Sequence, residues 1–164
     1  MNIILASDTY YPQIDGSSMF TQRLALYLKK AGHEVLVIAP SKKFGMELSF
    51  HNNIPTYGLR SLPLYIYRGL SLYASPVKRY KDLRFSPTLR EKDELKRLTK
   101  EFNADIVHIQ NHVFIGRTMF KVAQKLDLPV VATNHFMPEN VLSHAPMLPD
   151  QLEKFAKSLI WKDF

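Results

Sequence analysis

The fold turns on residues 2–40, NIILASDTYYPQIDGSSMFTQRLALYLKKAGHEVLVIAP. Asn2 to Ser7 reads as a short apolar run of the kind a strand buried on both faces shows. From Ser17 to Ala31, the residues Phe20, Leu24, Leu28 and Ala31 recur at helical spacing, with Ser17 or Ser18 as the expected N-cap and Gly32 as the stop. Residues 33–40, HEVLVIAP, give a second buried strand closed by Pro40. Strand, helix and strand within so short a stretch make a right-handed βαβ unit, the seed of a parallel sheet.

The alternation returns later. Residues 86–102, SPTLREKDELKRLTKEF, are expected to form a charged amphipathic helix, Asp105 to Ile109 a strand, Gly116 to Leu126 a helix, and 128–135, LPVVATNH, another strand. The pattern predicts an α/β fold: a Rossmann-like, doubly wound, mostly parallel sheet with helices on both faces. Between the halves, residues 52–85 hold one plausible strand, Ile54 to Leu59. The rest reads as a long excursion of short aromatic pieces interrupted by proline and glycine, and long excursions in compact domains are commonly functional. Residues 148–164 read as a helix whose apolar Leu152, Phe155, Leu159 and Ile160 need a partner.

Composition narrows the function classes. The 164 residues are 46% hydrophobic, enough for one cored domain, and contain no cysteine, which excludes a disulfide framework and a thiolate nucleophile. No leader-like segment stands at the start, and no apolar run approaches the roughly 18 residues that a membrane span needs. A cytoplasmic chain is expected. The net charge of +7 resides in residues 60–100, where eleven basic side chains face four acidic ones. Such a segment attracts anionic lipid, phosphorylated ligands or nucleic acid. Leucines and tyrosines interleave with Arg60, Arg68, Lys78 and Arg79 there, which suits either packing on the sheet or a peripheral contact with anionic membrane. No nucleic-acid motif accompanies the charge, so no nucleic-acid partner is expected.

Open parallel sheets bind ligands at the C-terminal ends of their strands. Four loops qualify: Ser7 to Ser18, Pro40 to Phe50, Gln110 to Gly116 and Thr133 to Asn140. They gather Asp8, Tyr10, Gly16, Gln110, Asn111, His112, Asn134, His135 and Glu139. Gly16 sits at a helix start, where unpaired N–H groups and the positive end of the dipole accept a phosphate, or else it merely shapes the turn after Asp15. His135 follows the strand PVVAT, placed to hydrogen-bond a substrate hydroxyl or to end a strand with a polar group. His108, inside DIVHI, reads as a core histidine. The three spaced glycines of a dinucleotide turn are missing, as are a His-Glu-x-x-His metal motif and a Gly-x-Ser-x-Gly elbow. No metal and no dinucleotide cofactor are expected.

These residues carry a resemblance. SDTYYPQIDGSSMFTQRLALYLKKAGHEVLVIAP, then ADIVHIQNH, then PVVATNHF, in that order, resemble the N-terminal half of retaining glycosyltransferases of family 4, above all bacterial members that glycosylate lipids, such as diacylglycerol glucosyltransferases and phosphatidylinositol mannosyltransferases. The resemblance implies that residues 1–164 are the acceptor-side Rossmann-like domain of a two-domain enzyme moving a hexosyl group from a UDP- or GDP-linked sugar to an acceptor hydroxyl, on a lipid or a glycan. It implies Gly16 at the donor diphosphate, His135 beside the donor sugar and the reacting centre, and acceptor contacts from Asp8, Tyr10, Gln110 and His112. Where the family has His-x-His, this chain has Gln110 in the second position. The family's second domain supplies a basic pair and two glutamates spaced eight apart; no glutamate here has another eight positions on, so a donor-binding C-terminal domain lies outside these residues and the fragment alone is expected to be inactive. The rival expectation is a non-catalytic Rossmann-like module that binds anionic membrane or an acidic polymer.

Overall fold

The computed structural model describes residues 1–41, 45–63, 84–86, 91–111 and 114–135. The chain runs β1 (Asn2–Ala6), α1 (Gly16–Lys30), β2 (Glu34–Pro40), β3 (Glu47–His51), β4 (Ile54–Leu59), β5 (Leu62–Pro63), β6 (Arg84–Phe85), α2 (Lys92–Glu101), β7 (Ile106–Ile109), α3 (Ile115–Lys125) and β8 (Val130–Ala132). Six strands form one sheet in the order β3-β4-β2-β1-β7-β8, parallel except for β3, and β5 pairs with β6 in a separate two-stranded piece. From β1 the chain moves outward one way through β2 and β4, then returns to the other side of β1 with β7 and β8. The reversal falls between β1 and β7, which makes the crevice beyond their C-terminal ends the natural ligand site.

Alternation along β1 explains the layers. Ile4 and Ala6 join Leu95 of α2 and Ile115, Met119, Val122 and Ala123 of α3 in one core cluster. Ile3 and Leu5 face the other way, into a cluster with Ala25 of α1, Val35, Val37 and Tyr10. Helices therefore cover both faces, and each strand residue of the sheet centre is taken out of water on whichever side it points. Tyr57 on β4 donates to Glu94 on α2 at 2.7 Å, fastening that helix to the sheet.

Each helix stops in the same way. Gly32 (φ 84°), Asn103 (φ 52°) and Asp127 (φ 55°) each take the left-handed conformation one residue beyond the cap. The next residue's N–H then reaches back five positions, His33 to Leu28, Ala104 to Thr99 and Leu128 to Ala123, satisfying carbonyls the helix would leave bare.

Three expectations need correction. The helix expected over residues 86–102 starts later: Ser86 and Glu91 lie outside it, and α2 runs Lys92–Glu101. The N-cap of α1 is Asp15, not Ser17 or Ser18: its carboxylate accepts the Ser18 N–H at 2.9 Å, and a negative group there complements the dipole. The stretch Pro40 to Phe50, expected as a loop at the ligand edge, contains most of β3, an antiparallel edge strand joined to β4 through Asn52 and Asn53, both at positive φ. That is a two-residue hairpin turn, and asparagine tolerates the conformation it needs. The helix expected at 148–164, and residues 64–83 of the basic excursion, lie outside the described residues.

Candidate functional site at the switch point

The loop leaving β1 is held in shape by its own side chains. Ser7, fully buried, receives the strand register from Ile38 through its N–H (2.9 Å) and donates its hydroxyl to the Thr9 carbonyl at 2.6 Å. Thr9 donates its hydroxyl to Asp15 at 3.2 Å, and the Ser18 hydroxyl donates to the Gln13 carbonyl at 2.7 Å. Tyr11 stacks on His51 of β3 with ring centroids 3.8 Å apart, while His51 Nε2 pairs with Gln22 Oε1 at 3.1 Å. The turn is thus tied to both the hairpin and α1, a role for His51 that its sequence context does not signal.

That scaffold leaves the start of α1 accessible. Gly16 is exposed, and a Cβ built on it would meet nothing within 4 Å. Asp15 has taken the Ser18 amide, and the helical ladder begins with Met19 N–H to the Asp15 carbonyl at 2.9 Å. The Gly16 and Ser17 amides make no hydrogen bond to any described residue, which leaves two donors at the positive end of a fifteen-residue helix for a ligand to meet.

The ends of β7 and β8 meet this helix start. The Gln110 N–H donates to the Ala6 carbonyl at 2.8 Å, which aligns the ends of β7 and β1. Its fully buried side chain brings Oε1 to 3.1 Å from His135 Nε2. Asn111 donates Nδ2 to the Ser17 hydroxyl at 2.9 Å, across to α1. Phe20, one turn beyond Gly16, lies against the His135 ring with centroids 4.8 Å apart. Gln110, Asn111, Ser17, Phe20 and His135 therefore gather around one helix end. Two buried polar atoms here, Gln110 Nε2 and Asn111 Oδ1, lack a partner among the described residues. Leaving such atoms unsatisfied costs on the order of 1–3 kcal/mol each, a cost a polar ligand or water would relieve.

Burial lowers the pKa of His135 while the Asp15 charge partly opposes it, which favours the neutral ring. His108 is also lowered, first by burial and then by His135; its Nε2 pairs with the Thr133 hydroxyl at 2.8 Å, as a core histidine should.

The other expected residues stand apart from that cluster. Asp8 accepts the Ile115 N–H at 2.7 Å and the Phe114 N–H at 3.2 Å, so its carboxylate caps α3 across the switch point. Tyr10 is 3% exposed and packs in the α1-side core; burial pushes its hydroxyl up to about 12, with Thr56 acting weakly the other way. Little of Tyr10 is left for a ligand to touch. His112 and Glu139 lie outside the described residues. Gly116, expected only as a helix start, is a packing device: a Cβ there would sit 1.6 Å from the Asn111 carbonyl oxygen, so only glycine lets α3 press against the loop that carries Gln110 and Asn111. Among the described residues no group of three His, Asp or Glu is arranged to hold a metal, and no helix is long and apolar enough to cross a membrane.

A family model described as Glycosyltransferase Family 4 matches residues 14–163. The chain belongs to that family. It is 25% identical over 144 residues to the alpha-monoglucosyldiacylglycerol synthase of Streptococcus pneumoniae, a match covering 88% of this chain and 29% of that protein. Over 132 residues it is 21% identical to a GDP-mannose-dependent alpha-mannosyltransferase of Mycobacterium tuberculosis, covering 80% of this chain and 31% of that one. The chain spans about three tenths of the length of these curated relatives. In three dimensions it is similar to the sucrose-phosphate synthase of Thermosynechococcus elongatus, with a TM-score of 0.54 and 14% identity over 96% of this chain and 39% of that one, a likeness of fold. The doubly wound sheet of this family 4 domain is thus seen both in its strand order and in its structural neighbour.

Proposed function

We propose that this family 4 domain is the acceptor-side half of a retaining glycosyltransferase that moves a hexosyl group from a nucleotide-diphosphate sugar to an acceptor hydroxyl. The observation that carries the reading is the start of α1, where the Gly16 and Ser17 amides have no hydrogen-bond partner among the described residues and Phe20 of the same helix lies against His135. The amides hold the donor diphosphate and stabilise the charge that builds on it as the sugar leaves. The bond between the anomeric carbon and the phosphate oxygen breaks, the acceptor oxygen attacks from the same side, and its proton passes to a donor phosphate oxygen. His135, neutral, orients the sugar and takes no proton. Asp15 places a carboxylate beside the same amides, so the diphosphate needs positive charge from elsewhere in the protein; a second, donor-binding domain supplies it. No metal is required by this scheme.

One relative is named for GDP-mannose and another for a glucosylated diacylglycerol, which supports a nucleotide-linked hexose as donor and a lipid as one kind of acceptor. The basic, tyrosine-rich stretch between Arg60 and Lys100 favours a lipid acceptor met at the inner face of the membrane, by peripheral contact. The test is transfer of labelled hexose by the full-length protein. His135→Ala is expected to lower kcat by about 100-fold or more, the scale of losing one positioned polar group at a reacting centre. A wild-type rate would remove His135 from the mechanism.

A further inference from the structure

Gln110 is among the largest fully buried side chains of the domain, yet it is polar and stands at the sheet edge where ligands bind. Packing of this kind leaves one rotamer, and its backbone is pinned by the hydrogen bond to Ala6. Its amide oxygen lies 3.1 Å from His135 Nε2, and the Phe20 ring flanks the imidazole. A neutral imidazole carries one proton and one lone pair on its two ring nitrogens, and the partner of one nitrogen decides which is which. An amide oxygen can only accept, so with Gln110 Oε1 turned to the ring Nε2 carries the hydrogen. Nδ1, with no hydrogen bond to any described residue, is left with the lone pair.

We propose that Gln110 is a positioning residue: it fixes His135 in the Nε2–H form, so that Nδ1 presents a hydrogen-bond acceptor to the ligand at the head of α1. This deepens the function proposed above and rests on it. It also specifies what His135 meets. A lone pair recognises a donor, so the imidazole engages a sugar hydroxyl and not a phosphate oxygen, which falls to the Gly16 and Ser17 amides. The reverse orientation of the Gln110 amide would put the proton on Nδ1 and favour phosphate instead, so the two arrangements predict opposite tautomers.

The experiment uses the full-length protein labelled with ¹⁵N-histidine, with the His135 signals identified by their loss in His135→Gln. The wild type is expected to show the Nε2–H tautomer. Gln110→Leu, close in size, is expected to populate both tautomers and to lower kcat for hexosyl transfer at least tenfold while changing the donor KM less than about threefold, because the phosphate contacts remain. Gln110→Glu, which keeps an oxygen at the same reach if the leucine variant does not fold, is expected to keep Nε2 protonated. An Nδ1–H tautomer in the wild type, or one indifferent to Gln110→Leu, would overturn the positioning role even if transfer remains. A tautomer that follows Gln110 while transfer stays at the wild-type rate would instead overturn the place of His135 at the reacting centre.

Discussion

Two glycines show how position and not composition sets the meaning of a residue. At Gly16 an added methyl group has room, and helix starts accept alanine, so Gly16→Ala is expected to leave thermal stability within about 0.5 kcal/mol of wild type. The same methyl group would occupy the space in front of two amides, and donor affinity should fall about tenfold or more, measured as donor KM in the full-length enzyme. At Gly116 the outcome reverses. The Cβ would overlap the Asn111 carbonyl, and the backbone must move, so Gly116→Ala should cost about 2 kcal/mol or more in chemical denaturation. Histidine titration belongs at this scale too. His108 and His135 are both lowered by burial, so the native state binds fewer protons than the unfolded chain just below the ordinary histidine pKa of about 6.5. Stability contributed by keeping these rings neutral is present above that pH and is lost as pH falls toward the lowered native values. Melting temperature should decline on acidification through this window, and His108→Gln should flatten the decline; an unchanged slope would contradict the burial account.

Among elements, α3 depends on a residue far away in sequence. Its own N-cap, Phe114, has no side-chain cap, and Asp8 from the end of β1 accepts the Phe114 and Ile115 amides in its place. Asp8→Ala should therefore destabilise by about 1–2 kcal/mol, with Asp8→Asn recovering most of it, as thermal or denaturant unfolding would show. The helices and central strands are legible in the apolar runs and the Gly32 stop, but the inward face of α1 is not: Phe20 is 43% exposed, and the buried positions are Ser18, Thr21 and Ala25. The β3 strand is not legible either: Leu48 and Phe50 alternate as a strand should, but they are 59% and 70% exposed, and the eye reads a polar-flanked stretch after Pro40 as loop. The pair Asn52-Asn53 held the missing signal, since consecutive residues that tolerate positive φ mark a hairpin. The Asp15 cap is hidden for a similar reason, because two serines stand nearer the apolar periodicity.

On the scale of the molecule, the parallel sheet around β1 and its crevice follow from the βαβ alternation, the β3-β4 hairpin does not, and Gly16 and His135 stand at a helix start and beyond a strand end as their sequence positions indicate. The contact between Gln110 and His135 was not legible, because it joins the ends of two strands 25 positions apart in sequence. Nor was the commitment of Asp8 to α3, for a carboxylate at a ligand edge looks the same in sequence whether it caps a helix or meets a substrate. The charge excess also acts at this scale. Full-length protein should sediment with vesicles containing phosphatidylglycerol at low ionic strength and release at high salt, since exposed charges are screened beyond about 10 Å at 0.1 M. Retention that is indifferent to salt would contradict an electrostatic contact.

The central claim is that the amides opening α1 hold the donor's diphosphate opposite His135. A crystal structure of the full-length protein with UDP or GDP tests it most directly. The account predicts a phosphate oxygen within about 3 Å of the Gly16 or Ser17 nitrogen. A nucleotide bound with its phosphates away from both amides would contradict it.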